Sequence, residues 1–271
     1  MPSPDTNLKD FSAVVITGGS SGIGKSFIRL LSYIGPNIVF CNLSRRPPEI
    51  NDPTLKLRHV PCDLSDSAEL ERGLAEAVAF LRSEAPPGKV LLINNSGYGV
   101  YGRFSESPGD QVGMLDVNAR APLVLTAGLL PEIRARGGVI VNVASVAAFL
   151  PTPHLATYSA TKSFLLHWSL CLDNELRGSG VRTLALCPGP TSTDFFKRAG
   201  LKEGAVPDAF GQTIDEVVRA ALRAIERGRP LVVSGWKNRL LAAFVGFVPK
   251  PLMTTLSGYF LVTFRKKRAK P

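Results

Sequence analysis

A β-branched apolar run that ends in a cluster of glycines constrains this chain more than anything else in it. Ala13-Val14-Val15-Ile16-Thr17 reads as a strand buried on both faces, and Gly18-Gly-Ser-Ser-Gly22-Ile-Gly24 follows directly. Beyond the glycines, Ile23, Phe27, Leu30, Leu31 and Ile34 fall on one face of a helix. Strand, tight turn and amphipathic helix in this order open a β-α-β unit, whose next strand lies parallel to the first.

The alternation continues. Strand-like runs recur at 13–17, 38–43, 57–61, 89–93, 138–143, 181–187 and 231–233, with helical patterns between them. One such pattern is Leu70, Leu74, Ala77, Val78 and Leu81, opened by Asp66-Ser-Ala-Glu69 and closed by Pro86-Pro87-Gly88. The expected fold is α/β, a Rossmann-type doubly wound parallel sheet of about seven strands in a single domain. Ligands of such sheets bind beyond the carboxyl ends of the strands, where the glycine turn lies. There Gly18 permits the turn, Gly22 lets the backbone approach a pyrophosphate, Gly24 allows close helix–strand packing, and the helix N-terminus receives the phosphate charge.

A second constellation is Tyr158-Ser-Ala-Thr-Lys162, a phenol and an ammonium one helical turn apart. An ordinary tyrosine has a pKa of about 10. A neighbouring positive charge favours the phenolate, so Lys162 is expected to pull Tyr158 toward neutrality and make it a proton donor to a developing alkoxide.

With both ends read, the chain resembles the short-chain dehydrogenase/reductase family over roughly residues 10–235. Thr17-Gly18-x-x-x-Gly22-x-Gly24 matches its cofactor motif, and Asn94-Asn95-Ser96-Gly97 its NNAG motif with serine for alanine. Asn118, Ser145, Tyr158 and Lys162 match its catalytic tetrad, and Pro188-Gly189 with Thr193 the segment that closes on the nicotinamide. The resemblance implies cofactor contacts from Thr17, Gly18, Ser20, Ser21, Gly22, Ile23, Gly24, Arg45, Asp63, Leu64, Asn95, Tyr158, Lys162, Pro188, Gly189, Thr191 and Thr193. It also implies that Tyr158 transfers the proton, Ser145 hydrogen-bonds the carbonyl oxygen, Lys162 holds the nicotinamide ribose, and Asn118, in a helical segment, anchors a proton-relay water. For Asp63 the alternative is an aspartate capping the next helix.

The second strand ends Leu43-Ser44-Arg45-Arg46, with serine where an NAD site places an acid for the ribose 2′-hydroxyl. Arginine instead suits a 2′-phosphate through paired, charge-assisted hydrogen bonds, so NADP(H) is favoured over NAD(H). The alternative is that Arg45 and Arg46 are a solvated loop pair.

The loop Gly97-Tyr98-Gly99-Val100-Tyr101-Gly102-Arg103-Phe104, with Phe149, Leu150, Phe195 and Phe196, suggests a largely apolar pocket for a lipid-like, steroid-like or aromatic ketone. His154 reads as an exposed loop residue, with a lining of the substrate pocket as the alternative, and three scattered histidines without ligand spacing predict no metal. Cys41, Cys62, Cys171 and Cys187 lack metal or disulfide spacing and point to a reducing compartment. The first ten residues carry no signal-peptide pattern, so the cytoplasm is expected.

The net charge of +10 is concentrated: eight Lys/Arg and no acids lie from Lys237 onward. Residues 1–235 are expected to be the dinucleotide-binding and catalytic unit, and 236–271 an apolar, basic extension. Its apolar stretch from Leu240 to Phe264 is split by Pro249-Lys250-Pro251 into pieces too short to span a bilayer. A membrane-surface contact through 240–271, at the inner face of the membrane, is set against a pocket cover or a second subunit. Nucleic acid is not expected as a partner, because only the tail is basic. A homo-oligomer that reduces a ketone or aldehyde, or runs the reverse reaction, is the leading expectation. The rivals are a dehydratase or epimerase of the same fold and a non-catalytic nucleotide-binding protein.

Overall fold

The computed structural model describes residues 6–191 and 211–266, without the side chains of the last seven. Thr193, Phe195 and Phe196 lie outside the described residues. Seven strands form one sheet: β1 Phe11–Thr17, β2 Val39–Ser44, β3 Leu57–Pro61, β4 Lys89–Asn94, β5 Gly138–Val143, β6 Val181–Cys187 and β7 Leu231–Val233. Their order is β3-β2-β1-β4-β5-β6-β7, every pair parallel. The direction of winding reverses between β1 and β4, which places the ligand crevice beyond Thr17 and Asn94.

Strand alternation divides the core between the two faces. Val14 and Ile16 of β1 and Leu91 and Ile93 of β4 pack on α1 (Gly22–Ile34) and on α6 (Ile214–Glu226). Ala13, Val15, Val90 and Leu92 point the other way, onto α2 (Ser67–Ser83) and α4 (Ala121–Arg136). Each fully buried aliphatic side chain contributes roughly 1.5–3 kcal/mol, so both layers are needed to hold strands this apolar. Asp66 caps α2, accepting from the Glu69 backbone N–H at 2.8 Å. At α6, Thr213 and Glu216 form a reciprocal capping box.

Between α3 (Pro108–Leu115) and α4 the helical segment expected around Asn118 takes the form of one π-helical turn, Asp116–Arg120. The helix α5 (Ala156–Glu175) carries Tyr158 and Lys162. Its far end is tied to β6 by buried Asp173, which accepts from Arg182 Nε at 2.8 Å and the Thr183 N–H at 2.9 Å. After β7 the chain continues as α7 (Trp236–Val245) and α8 (Lys250–Lys266), interrupted where Pro249 and Pro251 were expected to break it.

Candidate active site

The glycine turn is built from three strands. Gly18 and Gly22 hold φ of +70° and +54°, which side-chain-bearing residues rarely adopt. Thr17 Oγ1 accepts from the backbone N–H groups of Asn95 and Ser96, both at 3.0 Å. Asn95 Nδ2 donates back to the carbonyls of Thr17 (2.9 Å) and Gly18 (3.2 Å). Asn42, fully buried in β2, accepts from the Gly19 N–H at 2.8 Å. Asn42 was not anticipated; its sequence signal was a lone amide within an apolar strand.

The start of α1 fits a phosphate. Ser21 makes no side-chain cap, the first turn holds no acid, and the first N–H groups are therefore left to an anion. A Cβ on Gly24 would stand 2.4 Å from the Gly18 carbonyl oxygen, and backbone cannot yield as a side chain can. Gly24→Ala should therefore weaken nucleotide affinity by at least ~10-fold, about 1.4 kcal/mol, with the far-UV spectrum unchanged. Fluorescence titration with NADPH measures this, and wild-type affinity would disprove the close-packing role.

Other residues expected at the nucleotide divide into several situations. Ser44 is buried; its hydroxyl donates to the Arg46 carbonyl (2.7 Å) and accepts from Asn42 Nδ2 (2.8 Å). The Arg45 side chain is 77% exposed, with Nη1 3.7 Å from Asp63 Oδ2. Asp63 does not cap α2: its Oδ1 accepts from Ser65 N–H (3.0 Å) and Oγ (2.6 Å), and the bond from the Ser65 hydroxyl is the main cause holding its carboxyl below the usual pKa. Ser20, Ser21 and Ile23 are half-buried, and Ile23 packs on the core. The Leu64 side chain is buried in the core, so its backbone is what remains for a ligand.

Asn118, Ser145, Tyr158 and Lys162 come from three places, the π turn, the end of β5 and, for the last two, α5, and meet at the carboxyl ends of β4 and β5. The Ser145 and Tyr158 side chains share a hydrogen bond. Lys162 Nζ lies 5.8 Å from the Tyr158 ring centroid and donates to the Val143 carbonyl at 2.8 Å. Asn118, buried in the π turn, clasps the Tyr98 backbone: its Oδ1 accepts from Tyr98 N–H at 3.0 Å and its Nδ2 donates to Tyr98 O at 2.9 Å. Nδ2 also reaches Thr161 Oγ1 at 3.2 Å, on the Tyr158 helix. A Cβ on exposed Gly97 would sit 3.0 Å from Lys162 Nζ and 3.1 Å from Asn118 Oδ1, so both groups flank one point near the surface.

Electrostatics here correct one expectation. Tyr158 is not drawn toward neutrality; burial pushes it up to about 12, against a smaller opposing effect of the Ser145 bond. Lys162 is the group brought down, to about 8, also by burial. The cause is apolar cover: Tyr158 clusters with Met114 and Leu155, and Tyr98, Val100, Tyr101 and Ala147 pack against them. Burial is the largest cause for both groups, and the nearby Cys187 thiol adds a smaller upward effect on each. A second correction concerns His154, which is half-buried, stacked on Tyr101 at 5.6 Å, and has a φ of +64°.

Behind the site, Asn94 donates to Asn142 Oδ1 (2.7 Å) and Asn142 to Ser169 Oγ (2.8 Å), linking β4, β5 and α5. The Cys187 thiol accepts from the Ser145 backbone N–H and is pushed up to about 12 by burial. After β6, the Pro188 carbonyl accepts from Val146 N–H at 2.9 Å, and Thr191 Oγ1 donates to the Gly189 carbonyl at 2.9 Å. A Cβ on Gly189 would collide with the side chain of buried Asn238. Asn238 had no sequence signal, because it lies in the apolar extension.

This geometry agrees with comparisons to known proteins. Residues 12–204 match the family model described as short chain dehydrogenase. The chain belongs to the short-chain dehydrogenase/reductase family. It is 30% identical over 279 residues to dehydrogenase/reductase SDR family member 7B of Xenopus laevis, covering 96% of this chain and 83% of that one. It is 33% identical over 193 residues to the very-long-chain 3-oxoacyl-CoA reductase of Neurospora crassa, covering 65% of this chain but only 56% of that enzyme. Among solved structures, a short-chain dehydrogenase from Sphingobium yanoikuyae in complex with NADPH superposes with a TM-score of 0.73 at 28% identity, covering 87% and 94% of the two chains.

Proposed function

We propose that this protein is an NADPH-dependent reductase of a ketone or aldehyde borne on an apolar, lipid-like molecule. The observation that carries this reading is a phenol held protonated beside a serine hydroxyl, inside an apolar cluster next to the nucleotide crevice. The nicotinamide cofactor, when bound, supplies the hydride to the carbonyl carbon. Ser145 hydrogen-bonds the carbonyl oxygen as it gains charge. Tyr158 gives that oxygen its proton and completes the alcohol. Lys162 and Asn118, flanking one near-surface point, return a proton from solvent to Tyr158. Thr17, Gly18, Gly22, Gly24 and Asn95 shape the pyrophosphate turn, with Ser20, Ser21 and Ile23 at its rim. Asp63 and Leu64 border the adenine, and Pro188, Gly189 and Thr191 the nicotinamide.

Choice of NADP(H) rests on Arg45. With the Ser44 hydroxyl committed inside its loop, the exposed guanidinium of Arg45, directly after it, supports a contact with a 2′-phosphate. Ser44→Asp with Arg45→Ala should lower the NADPH-over-NADH preference by at least ~10-fold, through lost phosphate contact and new charge repulsion. Equilibrium binding of both cofactors measures it; a wild type that binds NADH as tightly as NADPH refutes the assignment.

The apolar substrate is supported by the cluster around Tyr158 and agrees with the name of the Neurospora relative. Stoichiometric NADPH oxidation across a panel of apolar and polar ketones tests the reading. Isomerisation or water loss without net NADPH oxidation would instead favour an epimerase or dehydratase. Nucleotide binding with no turnover would favour a non-catalytic protein. Free thiols at all four cysteines fit a reducing compartment such as the cytoplasm. Exposed Val112, Leu115, Leu123 and Phe164 on α3, α4 and α5 fit a homo-oligomer formed through those helices.

A further inference from the structure

We infer that α7 and α8 form a docking face for an anionic lipid bilayer, which the protein touches without crossing. Both helices are amphipathic in the wrong sense for a water-facing surface. On α7, Trp236, Leu240 and Phe244, with Phe247 just beyond its end, are exposed at roughly one-turn spacing, Phe244 at 64% and Phe247 at 88%. On α8, Leu252, Leu256 and Tyr259 repeat the pattern. The inward positions include polar Asn238 and Ser257 beside Val245 and Met253. A helix facing water puts its large apolar residues inside. Of the fourteen exposed large hydrophobics among the described residues, eight lie between Trp236 and Tyr259. That concentration marks an interaction surface rather than the scattered exposure of an ordinary exterior.

The packing turns both apolar faces away from the body. Asn238 Nδ2 donates to the Ser234 carbonyl at 2.9 Å, Lys250 Nζ to the Phe149 carbonyl at 3.2 Å, and Ser257 Oγ to the Pro151 carbonyl at 2.7 Å. Gly258 lies so close to Pro153 that a Cβ there would approach it to 3.0 Å. The inner side of α8 is therefore committed to the segment that leads from Ser145 to Tyr158, while on α7 the inward Asn238 meets Ser234 and the Gly189 turn, so neither helix offers its apolar side to the body.

Charge selects the occupant. From Lys237 to the end the chain has eight Lys/Arg and no Asp/Glu. Two copies meeting through this face would bring like charges together with no acid in the segment to balance them. Anionic headgroups supply the opposite charge, while the hydrocarbon boundary accepts Leu and Phe and the interface suits Trp236 and Tyr259. Among the described residues no helix is long and apolar enough to cross a membrane. Helices of ten and seventeen residues, separated by 246–249 with Pro249 before the second and Pro251 in its first turn, lie along the surface instead.

The test is co-sedimentation of the full-length protein with vesicles of phosphatidylcholine alone or mixed with phosphatidylglycerol. Partitioning should be at least ~10-fold stronger onto the anionic vesicles. It should fall by a similar factor between 0.1 and 1 M salt, as the screening length shortens from about 10 to about 3 Å. Phe244→Glu with Leu256→Glu, both exposed, should lower binding by at least ~10-fold and leave NADPH binding and elution volume unchanged. Phe247→Ser provides the same test by a milder change if the double variant misfolds. Equal pelleting with neutral and anionic vesicles, or variants that pellet like wild type, overturns the inference. Loss of subunit assembly in the variants also overturns it and assigns the face to a second copy. Pelleting requires no turnover, so the result stands or falls separately from the proposed reductase activity.

Discussion

Tyr158→Phe should lower ketone reduction by at least ~10²-fold, the effect of removing a general acid, while NADPH affinity stays within a factor of about two. The ring keeps its place against Met114 and Leu155, so only the transferable proton and the Ser145 bond are lost. Steady-state kinetics and fluorescence titration on one preparation separate the two effects, and near-normal turnover would end the catalytic assignment. The wild type carries a matching signature in pH. With Tyr158 pushed up to about 12, its acid form dominates at neutral pH and reduction should be flat there. Above about 8, where Lys162 loses its proton, reduction should decline. Oxidation of the product alcohol requires the phenolate, whose fraction grows about tenfold per pH unit below the pKa, so it should climb from pH 7 to 10. Oxidation independent of pH over that range would contradict this account of the phenol.

Lys162→Met should remove most activity, again by ~10²-fold or more, yet leave the protein at least as stable at neutral pH. Burial lowers the folded-state pKa of this lysine from 10.5 to about 8. Between those values the unfolded chain binds more protons than the folded one, so this group's contribution to stability rises with pH across the window. At pH 7 the buried charge therefore costs roughly 3 kcal/mol, of which little remains at pH 10. Methionine removes that cost but leaves the Val143 carbonyl without its 2.8 Å partner, a loss of about 1–3 kcal/mol. Thermal melts of both proteins at pH 7 and pH 10 provide the measurement. The variant's melting temperature relative to wild type should be several degrees more favourable at pH 7, at roughly 2–4 °C per kcal/mol. The same difference at both pH values would show that the lysine is not desolvated as the structure places it.

Much of this protein was legible before its structure, for local reasons. Strands such as Val90–Ile93 are buried on both faces, so their runs of apolar residues stand out without any knowledge of neighbours. The glycine turn depends on φ values and close approaches that glycine alone tolerates, so Gly18 and Gly24 mark it directly. Asn42 was readable only as an anomaly, an amide where its strand called for an aliphatic. Its bond to the Gly19 N–H lies across the sheet and has no signature in spacing.

What sequence alone determined is therefore the order of strands and helices, the glycine turn between β1 and α1, and the Tyr158–Lys162 spacing on one helix, each set by nearest neighbours along the chain. Tertiary structure decided the state of that pair. Tyr98, Val100 and Tyr101 come from one loop and Met114 from another helix, and together they cover the phenol and reverse the expected direction of its pKa. It also decided which way α7 and α8 face. An apolar stretch reads the same whether its leucines and phenylalanines point inward or out, and only the burial of Asn238, Val245, Met253 and Ser257, with the bonds of Lys250 and Ser257 to the body, settles that. Desolvation and burial sum contributions from remote segments brought together by folding, so neither quantity exists until the chain has closed on itself.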